Sequence, residues 1–266
     1  MNKDSPDISF LIVNYRSASR LPACFSSLKN LALPLSFECI VANNDPSEEN
    51  ALQDLQKDFS FDLLPLSKNR GFGRAVNMAA RRSRGTVLFL LNPDARFLSG
   101  NMTELVRCFE KNPSLGAVGM QLLEERDRPQ PWSFGSPVTL LRIARNHLSR
   151  PQEILRETPE HFVETSWVSG AALAIPRSLF FRIQGFDERF FLYFEDIDLC
   201  TRVQMLGKKV GLFPSARVLH VGGASMPKKR LQKKWYYRSQ DFYFQKHRPP
   251  YEQFLLKILR KCFGKY

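Results

Sequence analysis

Residues 86–94 read Thr86-Val87-Leu88-Phe89-Leu90-Leu91-Asn92-Pro93-Asp94. Val87 to Leu91 is apolar without alternation, which is the pattern of a strand buried on both faces. It stops at an Asn-Pro-Asp turn, polar where a strand would leave a sheet. The same grammar recurs outward from it. Ile8-Ser9-Phe10-Leu11-Ile12-Val13 runs into Asn14 and Tyr15, and Phe37 to Ala42 runs into Asn43-Asn44-Asp45. Further strands are expected at 61–66 and 115–120, and helices at 20–30, 48–57, 72–84 and 102–110. Strand and helix alternating at this spacing make βαβ units. The fold class is therefore α/β, with a mainly parallel central sheet flanked by helices.

In open parallel sheets, ligands bind beyond the carboxyl ends of the strands. That rule selects Asn14, Asn44, Asp45, Asn92 and Asp94, amides and carboxylates able to hydrogen-bond a base and a ribose. Ordinary turn chemistry is the plain alternative. Asn69-Arg70-Gly71-Phe72-Gly73-Arg74 stands at a loop-to-helix junction, where a helix N-terminus can receive phosphate. It is neither a dinucleotide fingerprint nor a Walker A loop, and a glycine-rich turn with solvated arginines has the same spelling. Asp94 can hold a hard divalent cation that also grips a diphosphate. His220 ends the apolar run Val218-Leu219-His220 and is either a second metal ligand or a structural histidine.

The densest acidic stretch is Glu195-Asp196-Ile197-Asp198, after Phe190-Phe191-Leu192-Tyr193-Phe194. These acids fall in a first helical turn, where the macrodipole favours them. An acidic cap would explain one of them. A carboxylate against aromatic rings at a cleft edge is also placed to act as a general base. One of Asp196 and Asp198 is then the base and the other orients the site.

The pattern loosens after Leu123. Residues 124–131 are polar and broken by proline, and 137–162 are basic without a clean period, as in a surface excursion. Order resumes at 167–175, with a helix inside 190–206 and short strands at 210–213 and 218–221. The reading is one domain over 1–266: a nucleotide-binding half to about 123, an acceptor-side half over 124–227, and a basic aromatic tail over 228–266. With 43% hydrophobic and 24% charged residues, wholesale disorder and coiled coil are excluded. No run is long enough to cross a membrane, and the first residues lack a secretory signal. Five cysteines without metal spacing point to a reducing cytosol, and four histidines exclude a histidine-rich zinc site. A net charge of +13 favours polyanionic partners. Phe254, Leu255, Ile258, Leu259 and Cys262, beside Lys257, Arg260 and Lys261, make either an interfacial helix on anionic lipid or a helix docked on its own domain. No nucleic-acid module accompanies the basic tail, so nucleic acid is not an expected partner.

Taken in order, these pieces resemble the family 2 glycosyltransferases of GT-A fold, most of all their bacterial rhamnosyltransferase-like branch. The matching stretches are Ser9 to Tyr15, Val41 to Asp45, Asn69 to Gly73, Leu91 to Ala95, Trp167 to Ala171, Gly185 to Leu199 and His220 to Ser225. The resemblance implies an inverting transfer from a nucleotide-diphosphate sugar, with dTDP-rhamnose the favoured donor. It implies an acceptor hydroxyl on a cell-surface glycan or lipid-linked precursor, and a cytoplasmic protein at the inner face of the membrane. By analogy Asn44 and Asp45 lie near base and ribose, Asp94 and His220 hold Mg²⁺ or Mn²⁺, and Asp196 is the base, with Glu195 or Asp198 holding the acceptor or Asp196 itself. Trp167 would line the sugar or acceptor pocket, and is equally ordinary as core packing. Two departures stand out. The family's Asp-x-Asp reads Asn92-Pro93-Asp94, and Asn43 precedes Asn44-Asp45 where many relatives carry Asp then Asn. A sugar nucleotidyltransferase would carry a glycine-rich basic signature near the N-terminus, which Asn14-Tyr15-Arg16-Ser17 is not. A binding-only protein on this scaffold would have no need of Asp94, Asp196 and His220.

Overall fold

The computed structural model describes residues 5–31, 35–148, 162–222 and 229–262. Its elements in chain order are β1 (Ile8–Asn14), α1 (Leu21–Asn30), β2 (Phe37–Asn43), α2 (Glu49–Leu55), β3 (Asp62–Pro65), α3 (Phe72–Arg82), β4 (Val87–Leu91) and β5 (Ala95–Ser99). There follow α4 (Met102–Lys111), β6 (Leu115–Glu124), β7 (Arg128–Pro129), β8 (Phe134–Gly135), α5 (Leu140–Leu148), β9 (Val163–Glu164) and β10 (Trp167–Val168). The last are β11 (Ala172–Pro176), α6 (Arg177–Arg182), α7 (Glu195–Met205), β12 (Lys209–His220), α8 (Lys229–His247) and α9 (Pro250–Cys262).

The main sheet runs β3-β2-β1-β4-β11-β6-β12-β5, with β7 beside β6 and β9 beside β12. Its first four strands are parallel, as the alternation of strand and helix predicts. The other half is mixed. β11 pairs antiparallel with β4 and β6, β12 is parallel to β6, and β5 is antiparallel to β12. The two short strands expected at 210–213 and 218–221 are one strand, β12. It passes Pro214 with a register shift between Leu212 and Arg217, the kind of irregularity that admits proline to a sheet.

Side chains alternate across the sheet and build a core on each face. Phe10, Ile12 and Phe89 face α1 and α4 through Leu21, Phe25, Leu28 and Leu105. Leu11, Val13 and Leu90 face α3, α6 and α7 through Val76, Ala79, Phe180, Leu199 and Val203. Both faces of β1 are covered, so its seven residues are all buried. A third cluster joins Phe190 and Phe194, just before α7, to Tyr243 and Phe244 of α8 and Leu256 of α9. The tail is thus docked on its own domain. The excursion after β6 holds β7, β8 and α5, and α5 packs against α9. Residues 149–161, Gly223-Ala224-Ser225 and Lys228 lie outside the described residues.

Because β1, β2, β4, β6 and β12 run the same way, their carboxyl ends share one edge. β5 turns back along it, with Ala95 opposite His220.

Candidate active site

Beyond that edge lies a cavity of about 280 Å³. Tyr15 follows β1 into its wall, Asn44 follows β2, Asn92 and Asp94 follow β4, Gly170 precedes β11, and His220 ends β12. Asn44 binds the neighbouring loop: its Nδ2 donates to Asn69 Oδ1 at 3.0 Å and to the Gly71 carbonyl at 3.2 Å, and its Oδ1 accepts from the Arg70 N–H at 2.7 Å. Gly71 has φ +84°, and a Cβ there would stand 2.6 Å from the Phe191 carbonyl oxygen. Only glycine lets α3 begin this close to the Phe191 backbone.

Asp94 and His220 meet at the far side of β4. Asp94 Oδ1 is 3.4 Å from His220 Nε2, and Asp94 Oδ2 accepts from the Gly222 N–H at 3.1 Å. Burial by itself raises the Asp94 carboxyl; hydrogen bonding and charge from the His220 ring outweigh it and hold the group below its ordinary value. His220 Nδ1 lies 2.8 Å from Gln130 Oε1, and its Nε2 lies 3.0 Å from Asn92 Nδ2. With Gln130 accepting at Nδ1, Nε2 is the atom left facing Asp94. A carboxylate oxygen and an imidazole nitrogen converge here. Among the described residues no third ligand of the His, Cys, Asp or Glu type joins them. Two protein ligands fit a cation that takes its remaining ligands from phosphates and water. Among the described residues no lysine or arginine lines the cavity, so the wall brings Asp94, Glu195 and Asp196 but little charge to balance a diphosphate.

Tyr193 and Phe194 both have left-handed backbones, φ +69° and +66°. This is strained for aromatic residues, about 1–3 kcal/mol each. Packing from α8 holds the pair in place: Tyr193 and Phe194 lie against Tyr236, Phe194 also against Tyr243, and Ser239 Oγ donates to the Leu192 carbonyl at 2.8 Å. The outcome is the start of α7 at the cavity. Asp196 Oδ2 accepts from the Gly170 N–H at 3.1 Å, and its Oδ1 from the Ile197 N–H at 2.8 Å. Burial pushes the Asp196 carboxyl up, against those backbone donors. Burial, with the Asp196 charge beside it, pushes Glu195 well above its ordinary value. Both carboxyls are thus pushed up; backbone N–H donors oppose the shift at Asp196, whereas Glu195 Oε2 has no hydrogen-bond partner among the described residues.

A second cavity, of about 560 Å³, shares Ser169, Tyr193, Glu195 and Asp196 with the first. Trp132, Phe134, Trp167, Tyr193, Phe194 and Tyr236 line it with rings, and Arg142 of α5 also lines it. The two acids form a party wall between two chambers.

Of the residues selected from sequence, Asn44, Asn69, Gly71, Asn92, Asp94, Glu195, Asp196 and His220 line the first cavity. Five stand elsewhere. Asn14 is fully buried and joins β1 to β2, its Nδ2 donating to Asn43 Oδ1 and Glu48 Oε2. Asp45 caps a short turn through Ser47 and pairs with Arg16. The Arg70 side chain turns to Ser67. Trp167 is in the second cavity, its Nε1 donating to the Ser136 carbonyl. Asp198 lines neither cavity: its buried carboxylate accepts from Arg202, Lys246 and His247 at 2.6–2.8 Å, tying α8 to α7. Sequence reasoning missed Gln130 and Trp132, hidden in the proline-broken excursion, and Trp235, which stacks on Phe191 at 4.3 Å.

The family model for glycosyl transferase family 2 matches residues 9–168, and the chain belongs to that family. It is a glycosyltransferase, moving a sugar from a nucleotide-sugar donor to an acceptor. One relative is the N-acetylglucosaminyl-diphospho-decaprenol L-rhamnosyltransferase of Mycobacterium tuberculosis, 28% identical over 78% of this chain and 74% of its own. The fold matches the mannosyltransferase PcManGT of Pyrobaculum calidifontis, solved with GDP-Man and Mn²⁺, at a TM-score of 0.58. That match is 16% identical and covers 96% of this chain and 69% of the other. It also matches S. aureus TarS 1-349, solved with UDP-GlcNAc, at a TM-score of 0.60 and 14% identity, over 89% of this chain and 65% of that one. These likenesses establish a GT-A-like α/β fold.

Proposed function

We propose that the protein is an inverting rhamnosyltransferase that takes dTDP-rhamnose in the first cavity and glycosylates a lipid-linked sugar at a membrane surface. The observation that carries the reading is Asp196, standing in the wall common to both cavities. The activity of the mycobacterial relative supports the choice of sugar and acceptor. In the single displacement, the Asp196 carboxylate accepts the acceptor hydroxyl proton. The hydroxyl oxygen forms its bond to the anomeric carbon as the bond to the diphosphate oxygen breaks, and the leaving nucleoside diphosphate takes that electron pair. The Gly170 and Ile197 N–H groups hold the base in place, and the Asn44, Asn69 and Gly71 loop shapes the nucleotide end. Asp94 and His220 would hold Mg²⁺ or Mn²⁺, which when bound neutralises the diphosphate and favours its departure.

The membrane part of the proposal rests on α9. Tyr251, Phe254, Leu255 and Ile258 are exposed, with Lys257 and Lys261 among them, and Leu141 of the packed helix α5 is 79% exposed. Among the described residues no helix is long and apolar enough to cross a membrane. An amphipathic basic face of this kind suits the surface of an anionic bilayer.

The test is nucleoside diphosphate release from a panel of sugar nucleotides, with Mg²⁺, Mn²⁺ or EDTA, and with membrane lipid extract as acceptor. The expected result is acceptor-dependent release from dTDP-rhamnose, abolished by EDTA and by Asp196→Asn. Release from another donor alone overturns the choice of sugar. Release that survives EDTA overturns the metal role of Asp94 and His220.

A further inference from the structure

Asp94 and His220 mark one end of the first cavity, beyond β4 and β12. Asn44 stands beyond β2, two strands along the sheet from β4, which puts it about 10 Å away at the usual strand spacing. In the transferase reading the diphosphate lies at Asp94 and His220, so the base falls at the end walled by Val13, Tyr15, Asn44 and Asn69. Two amides meet at that end, and backbone groups fix which way each one faces. The Arg70 N–H can only donate, so the Asn44 atom it meets at 2.7 Å is Oδ1. The Gly71 carbonyl can only accept, so the Asn44 atom it meets at 3.2 Å is Nδ2. The Gly71 N–H donates to Asn69 Oδ1 at 2.9 Å, and Asn44 Nδ2 donates to the same oxygen at 3.0 Å. Asn44 is only 2% exposed and has no donor left for a ligand. The Asn69 amide cannot turn over without setting its own Nδ2 against two donors. As it stands, Asn69 Nδ2 makes no hydrogen bond among the described residues and is not one of their buried unpartnered atoms. The side chain thus offers the cavity a donor and no acceptor.

We propose that Asn69 reads the nucleobase of the donor, selecting a base with a carbonyl at its outer edge over one with an amino group there. Thymine and uracil carry that carbonyl at position 4 and guanine at position 6, where cytosine and adenine carry an amino group. Against an amino group two donors face each other and neither is paired. The inference rests on the nucleotide-sugar reading and adds the feature of the base that the site recognises. An Asx-turn that only shaped the loop would use the same Gly71 bond and treat both kinds of base alike.

The experiment is calorimetry on the full chain with Mn²⁺ present, in three matched pairs: dTDP against 5-methyl-dCDP, UDP against CDP, and GDP against 2-amino-ADP. Within each pair the carbonyl becomes an amino group, and the neighbouring ring nitrogen loses its proton. In whichever pair binds, the carbonyl member should bind at least about tenfold tighter. Asn69→Asp keeps an oxygen for the Gly71 and Asn44 donors and replaces Nδ2 by an acceptor. Its added charge weakens both members alike, so the ratio still reads the edge of the base. Asn69→Asp should erase the margin or turn it toward the amino member, and Asn69→Ala should erase it, with the melting temperature of each within a few degrees of the unaltered protein. Equal binding within the pair, or a preference for the amino member, overturns the proposal in the unaltered protein alone, whatever the variants do. A margin kept by either variant overturns it too. If no member of any pair binds the unaltered protein, the nucleotide-sugar reading falls, and this inference with it.

Discussion

Adjacent carboxylates in one wall have different surroundings. Asp196 is held by two backbone N–H groups, whereas Glu195 Oε2 has no partner among the described residues. Asp196→Asn is expected to lower kcat by about 10²–10⁴-fold with the donor Kd unchanged, read by steady-state kinetics and calorimetry. Glu195→Gln, an isostere of the protonated acid, should cost far less than Glu195→Ala. A collapse with Gln as deep as that of Asp196→Asn would make Glu195 the base instead. The sign of the pH dependence follows from the upward shift of Asp196. As pH falls through that raised value the base is protonated and the rate is lost, so the acid limb of kcat lies above the ordinary 3.8. Gln130→Ala leaves His220 Nδ1 without its acceptor and should weaken Mn²⁺ binding to the dTDP-loaded protein by about 10–100-fold, read by electron paramagnetic resonance. Much of this site was legible because residues at strand ends have their place fixed by the sheet: Asn44, Asn92, Asp94 and His220 needed only the strands to be found. Asn14, Asp45 and Arg70 sit at equally good addresses, but their side chains turn to Asn43, Ser47 and Ser67. Sequence carries no record of that rotation.

Among the elements, α8 packs on the turn that precedes α7. Its Lys246 and His247, with Arg202 of α7, surround the Asp198 carboxylate. Burial alone raises that carboxyl, and the His247 hydrogen bond with the Arg202 and Lys246 charges overcomes it, leaving the group below its ordinary value. Its contribution to stability is present above the unfolded value near 3.8 and is lost as pH falls through the lower folded value. Asp198→Asn should destabilise the fold by about 3 kcal/mol at neutral pH, since it strands buried cations, and should bring earlier proteolysis of α8. Urea melts and timed proteolysis measure both, and an unchanged melt would show that the cluster is not what fastens α8. Strands 1, 2 and 4 were readable because continuous apolar runs end in polar turns. β5, β7 and β8 were not. They are short, half exposed and paired by tertiary context, which overrides local preference.

Across the whole molecule, the proposed membrane seat combines the net charge of +13 with the apolar face of α9. Sedimentation with vesicles of phosphatidylglycerol should carry the protein down at low salt, whereas phosphatidylcholine alone should not. The anionic arm should weaken as salt shortens the Debye length to about 3 Å near 1 M. Leu255→Ser with Ile258→Ser should reduce binding to the anionic vesicles and leave the melting temperature within a few degrees. Full binding by the double variant would show that charge alone seats the protein. The docking of α8 also has a consequence in time. The parallel strands β1 to β4 precede it in the chain, and proteins fold from the N-terminus as they are made. The strained turn that presents Asp196 has no packing from Tyr236 and Tyr243 until α8 has been synthesised. A chain that stops short of α8 therefore lacks both the packing that holds this turn and the Gln232 wall of the first cavity, so the pocket and the turn are completed together by the last helices to be made.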